Sequence, residues 1–212
     1  MSNRFDRAQA WTGVAAVVLW IVGLVVAIGV SDSISDKATD AETLAWIKGN
    51  ANTVLLGSWI FMVGCLCFVW FAGVLRSRLA AAEGASATVS TIVFGGAVAT
   101  AVFGILMRTG DVAAAISKND ITAANAGTLH RTSDMFFVGA ELSAILVLGG
   151  VAVLGFRTGV VPRWWAIVSA LVAVVLVIGP IGWAGLLFGI PVWTLVTSVM
   201  LTREPREVRS RE

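Results

Sequence analysis

Apolar and polar positions alternate along this chain on a scale of about twenty residues, not of two or four. Apolar runs cover roughly residues 11–30, 54–75, 89–107, 135–155, 164–179 and 184–201, with short polar breaks between them. Hydrocarbon offers a backbone N–H or C=O no partner outside its own segment, so a crossing needs a helix of about 20 apolar residues. The pattern therefore predicts an all-α integral membrane protein, a six-helix bundle in one domain. Residues 202–212 form a short charged tail. The stretch 164–201 is too long for one crossing, at about 57 Å as a single helix, and just long enough for two short ones. Gly179-Pro180-Ile181-Gly182 supplies the break, because Pro lacks an N–H and Gly accepts the turn. The first run exceeds the roughly 7–15 residues of a cleaved signal peptide and no Ala-x-Ala site follows, so a retained anchor is expected.

Charge orients the bundle. With the N-terminus cytoplasmic, the inner segments hold Arg4, Arg7, Arg76, Arg78, Arg157, Arg163, Arg203, Arg206, Arg209 and Arg211, ten of the fifteen basic residues. The outer segments hold Lys37, Lys48, Arg108, Lys118 and Arg131 among seven acids. Both termini are expected inside, in the cytoplasmic membrane of a bacterium. Composition agrees: 58% of residues are hydrophobic, 13% are charged, and mean hydropathy is +0.88. Disorder, a coiled coil and a disulfide scaffold are excluded. The lipid bilayer is the expected partner; a membrane-protein partner or a second copy is open, and the arginine-rich tail reads as a topology signal, not as a nucleic-acid surface.

In the first outer loop, Thr39-Asp40-Ala41-Glu42 has capping-box spacing. It predicts a short helix lying on the outer leaflet through Leu44, Trp46 and Ile47 and stopping at Gly49. Trp11, Trp164, Trp165 and Trp183 fall at expected interfaces, and Trp20, Trp59, Trp70 and Trp193 within spans as packing. Small residues mark close helix contact. Gly96, Thr100 and Gly104 recur every four residues, as do Gly139 and Ser143. A turn centred at Asn119-Asp120 brings Gly96 to Ser143 and Thr100 to Gly139, a tight hairpin of the third and fourth helices. Gly185 and Gly189 add a GxxxG on the last helix.

One ionisable residue cannot be moved out of a span. Glu141 is placed about 15 Å deeper than Arg108, near the midplane. A charge there is costly, and no Lys or Arg is expected at that depth. The cheaper arrangement is a neutral acid hydrogen-bonded to Ser143, Ser169, Thr194 or Thr197. His130, Asp134 and Glu141 share one face of their helix, a polar stripe from the outer surface inward that would suit a proton or cation path. Arg108, Asp111 and Arg131 are expected to form surface ion pairs at its mouth.

Enzymatic constellations fail. A single histidine excludes three-histidine zinc and bis-histidine haem, and about 16 Å of helix separates His130 from Glu141, too far for one ion. Cys65 and Cys67, at i and i+2, form neither CxxC nor a disulfide. Walker, nucleophile-elbow and dinucleotide motifs are absent from the sequence. No metal or cofactor is expected, and the pattern points away from an enzyme.

The last third resembles a known family. An Asp134 opens a helix, an apolar run ends at Phe156-Arg157-Thr158-Gly159, Val160-Val161-Pro162-Arg163-Trp164 starts the next helix, and Pro191-Val192-Trp193 comes late. This is similar to the uncharacterised bacterial multipass family called domain of unknown function 4386. The resemblance implies six helices and a cytoplasmic-membrane location, and brings no activity. The first functional expectation is proton-linked or small-solute transport through Glu141, with Asp134 and His130 as outer relay. The alternatives are a non-catalytic subunit or assembly factor, docking through its small-residue faces, and an intramembrane enzyme acting on lipid.

Overall fold

In the computed structural model, which describes residues 8–28 and 37–202, every element is helical. α1 covers Thr12–Ile28, α2 Asp40–Glu83, α3 Thr88–Ile116, α4 Ala123–Thr158 and α5 Arg163–Val177. The chain ends in α6 (Gly179–Ala184), a π turn (Gly185–Gly189) and α7 (Ile190–Thr202). Five helices are long and apolar enough to cross a membrane; α5, with 15 residues, is a shorter apolar one. Trp59, Leu66, Trp70, Leu142, Leu171 and Val174 face outward and exposed, the arrangement of a protein whose surroundings are lipid. The chain is a multipass membrane protein. Arg4, Arg7, Asp32, Asp36, the end of the first apolar run at 29–30 and the tail from Arg203 lie outside the described residues.

α2 has 44 residues, about 66 Å, twice the thickness of the hydrocarbon core. The capping box is present: the Thr39 hydroxyl accepts the Glu42 N–H at 3.3 Å, and the Glu42 carboxylate accepts the Thr39 N–H at 2.7 Å. The helix it opens does not lie on a leaflet or stop at Gly49. It runs on into the spanning segment, because Ile47, Ala51 and Val54 form a buried stripe at helical spacing. They pack on Ala114, Ala115 and Ala126 from the α3–α4 hairpin, which also projects beyond its apolar run. The result is a helical head at the hairpin end of the bundle. Arg131 pairs with Asp40 across it at 2.8 Å. A Cβ on Gly49 would meet nothing, so Gly49→Ala is expected to stabilise the protein by about 0.5–1 kcal/mol; a thermal melt in detergent checks it.

At the opposite end, the Glu83 carboxylate accepts the N–H groups of Val89 and Ser90 at 2.7 and 2.8 Å, so the end of α2 caps the start of α3. The α3–α4 hairpin is tight, as expected, but its register is shifted. Gly96 meets the Ser143 carbonyl and the Leu146 side chain, Gly110 meets Ser133, and Gly139 lies under the Phe103 ring, not against Thr100. The turn is centred near Ile121 for a physical reason: Thr122 caps α4 through the Asn125 N–H. Gly104 faces Cys65 of α2, and Gly185 and Gly189 pack on Leu176 and Val172 of α5.

The helix break comes at Ile178, whose backbone leaves the helical region (φ −85°, ψ 91°). α5 has risen only about 21 Å by then. Measured up α4 from Thr158, that is close to the level of Glu141, about 25 Å up. The turn thus lies near the level of Glu141, and its backbone polar groups are sheltered by the neighbouring helices. Gly182 is buried there.

Candidate functional site

Two sets of residues converge near the hairpin end, one charged and one apolar. The charged set begins with Arg108, 8% exposed, and Asp111, 3% exposed, on successive turns of α3. They form an ion pair at 3.3 Å. The Arg108 Nε–H donates to Ser58 Oγ of α2 at 3.2 Å, and His130 Nδ1 of α4 lies 2.7 Å from the other Asp111 oxygen. His130 Nε2 is 3.9 Å from Asp134. Asp111 therefore ties α3 to α4, and Arg108 ties α3 to Ser58 of α2. This corrects the expectation of surface pairs at a mouth: Arg108 and Asp111 are buried, since each finds its partners inside, and Arg131 pairs with Asp40 on the head instead. A buried charge is tolerated only when paired in this way.

His130 lies one turn beyond the apolar run of α4. Its hydrogen bond to Asp111 raises its pKa above the ordinary histidine value against the opposing effect of burial, with further help from the charges of Asp111 and Asp134. His130 Nδ1–H donates to Asp111 in the charged form.

Glu141 is separate from this network. The hairpin register puts Arg108 level with about residue 134, so Glu141 is only about 10 Å beyond it along the axis, shallower than expected. The residue is 8% exposed, and its carboxyl lies against Gly182 just past the α5–α6 turn, where an added Cβ would sit 3.0 Å from Oε1. The hydroxyls expected to bind it are engaged elsewhere or lack a partner. Ser143 donates to the Gly139 carbonyl, and Ser169 donates to the Trp165 carbonyl. Ser169 and Thr197 accept from the indoles of Trp193 and Trp165, and Thr194 Oγ1 is buried without a hydrogen bond. Glu141 makes no hydrogen bond or ion pair among the described residues. The polar stripe on α4 is thus split: its His130 end turns to α3, its Glu141 end to the α6 turn.

Beside Glu141 is an apolar cleft enclosing about 70 Å³. Trp20 of α1, Phe61 and Cys65 of α2, Met107 of α3, Phe137 of α4 and Leu186 of the π turn line it. Phe137 is one helical turn from Glu141, and Leu186 is one turn from Gly182; Glu141 itself is not part of the lining. No protein-family profile, curated protein or solved structure matches the chain. The arrangement must be read from its own chemistry. Among the described residues no three His, Cys, Asp or Glu side chains are grouped to hold a metal ion.

Sequence reasoning missed three features here. Ser58 and Ser133, which bind Arg108 Nε–H and the Gly110 N–H, gave no periodic signal. Three tryptophans were misassigned by depth alone: Trp165 is buried, stacked on Trp193 with ring centroids 6.5 Å apart, while Trp59 and Trp70 face outward. The close approach of α1 and α2 at Gly23 and Gly57 was legible only as Gly23 and Ala27 four residues apart.

Proposed function

We propose that this chain is a six-pass protein of the bacterial cytoplasmic membrane, with both termini inside, that couples movement of a small solute to a proton carried by Glu141. The head and the α3–α4 hairpin then face outward, and His130 and Asp134 pass protons from that side. The topology is supported by Arg76, Arg78, Arg157 and Arg163, concentrated at the other end of the bundle.

One observation carries the function. Glu141 is a buried residue whose carboxyl has no partner among the described residues, and it lies against Gly182 just past the helix break at Ile178. A merely structural carboxyl would be bonded; an unbonded one in a span is a site for a mobile proton or cation. The docking-subunit alternative loses support, because Gly96, Gly104 and Gly139 are used within the chain. In proteoliposomes with an imposed potential, proton uptake by the wild type is expected to fall at least about tenfold in Glu141→Gln, which mimics the neutral acid without carrying a proton. Uptake equal to the wild type, from a variant that inserts normally, sinks the reading.

A further inference from the structure

A groove of about 240 Å³ opens on the lipid-facing side of α2, between the start of the first span and α3. Val69, Trp70, Gly73 and Val74 of α2 and Phe94 of α3 make its apolar body, and Ser77 and Gln9 mark one end with polar groups. Gly73 creates the depression: a Cβ there meets nothing within 4 Å, while Trp70, one turn away, stands 59% exposed. From Val69 to Ser77 the helix rises about 12 Å, close to half of a hydrocarbon core of about 30 Å, so the groove matches the depth of one leaflet.

Positive charge sits at that same polar end. Arg76 is a helical neighbour of Gly73, and its guanidinium reaches across to Thr91 Oγ1 of α3, 3.5 Å away and one turn from Phe94. That long contact is the one hydrogen bond it makes among the described residues, so a fork of five N–H donors is largely unspent. Neither Arg76 nor Arg78 has an ion pair among the described residues. The acid that follows them, Glu83, is held by the N–H groups of Val89 and Ser90, and no acid lines the groove. A guanidinium pairs best with an anion that offers two oxygens, as a phosphate does.

We propose that this groove binds one anionic phospholipid, with its phosphate at Arg76 and one acyl chain laid along Val69, Gly73 and Phe94 against the Trp70 ring. An apolar slot alone would take any lipid, and a basic bundle end alone would gather anionic lipid diffusely. Here an arginine without an ion pair stands at the polar end of a slot as deep as a leaflet. A soluble anion would leave the apolar body empty, and a zwitterionic lipid brings its own cation to Arg76. The site stands whether or not the protein moves a solute.

Trp70 is the reporter. The full chain is placed in vesicles of phosphatidylcholine with a minor share of phosphatidylglycerol. In one set the phosphatidylglycerol carries brominated acyl chains, and in the other an equal share of the phosphatidylcholine does. Quenching at Trp70 is the wild-type signal less that of Trp70→Phe. Brominated phosphatidylglycerol is expected to quench Trp70 about fivefold more than brominated phosphatidylcholine, the worth of one arginine near a membrane surface. Arg76→Gln should lower that ratio at least about threefold, and so should Gly73→Leu, which fills the slot and keeps the charge. Arg163→Gln, at the same end but outside the lining, should leave it unchanged. Equal quenching by the two lipids overturns the site. A ratio that survives Arg76→Gln or Gly73→Leu in inserted protein does so too, as does one that falls as far in Arg163→Gln, which would mean diffuse charge. Loss of the ratio on adding inorganic phosphate, but not chloride of equal ionic strength, would make the ligand a free anion and remove the lipid.

Discussion

Gly57→Leu is expected to separate the first two helices, with a large loss of stability. A Cβ on Gly23 would lie 2.6 Å from the Phe61 backbone nitrogen and 2.7 Å from the Gly57 carbonyl, and one on Gly57 would collide with the backbone nitrogen of Ala27. The neighbours are backbone on both sides, so neither can turn aside as a flexible side chain would. In a membrane, helices gain nothing by leaving lipid for one another except packing and hydrogen bonds, so close backbone approach is what holds such a pair. Four added carbons at Gly57 must push α1 away and empty the packing of Trp20 on Phe61 and Phe68, whose ring centroids are 6.4 and 5.1 Å from it. The loss should reach about 4 kcal/mol, the range of severe core disruption, which is roughly a 10 °C fall in melting temperature for a chain of this size. Gly73→Leu on the same helix is the control, because a Cβ there meets nothing within 4 Å. If the two variants melt together, the Gly23–Gly57 contact does not hold α1 in place.

The contrast between those glycines shows what the sequence could reveal. Apolar runs of about twenty residues announce helices whatever they pack on, because the requirement comes from lipid, not from neighbours. Rows such as Gly96, Thr100 and Gly104 announce a contact because periodicity repeats the signal. Gly57 has no such row, and its partner on α1 lies 34 positions away in the numbering; nothing local marks it. The same holds for the site. Glu141 stood out as a lone carboxyl in an apolar run, yet what surrounds it depends on where α5 stops, and the bend at Ile178 was visible only as a nearby Gly-Pro. Hydropathy put Arg108 and Asp111 at the surface, since it counts charges singly. They are buried because Ser58 and His130, 50 and 19 residues from their partners, complete the set. Gly49 misled in the other direction: its cost to a helix is about 1 kcal/mol, small against the burial of Ile47, Ala51 and Val54 around it.

Asp111→Asn should loosen the hairpin end by about 3 kcal/mol or more and remove a pH dependence that the wild type has. Asp111 is the single anion shared by the Arg108 guanidinium at 3.3 Å and His130 Nδ1 at 2.7 Å. Arg108 cannot shed its charge, and its Nη2 already lacks a hydrogen bond. Neutralising the carboxylate leaves a buried cation uncompensated, the case in which breaking an ion pair costs about 3–5 kcal/mol. The histidine supplies the second signature. Its hydrogen bond to Asp111 favours the charged ring in the folded protein. That contribution is fully present below the unfolded histidine value of about 6.5 and is lost as pH rises through the higher folded value. Wild-type stability at the hairpin end should therefore decline as pH climbs from about 6.5, and hydrogen exchange of Ala114, Ala115 and Ala126 amides should quicken in step. In Asp111→Asn the slope should vanish, while exchange near Trp165 and Trp193, remote from the network, keeps its wild-type pH profile. A slope that survives the substitution would mean that some other group sets it, and that the 2.7 Å contact between Asp111 and His130 does not couple the head to protonation.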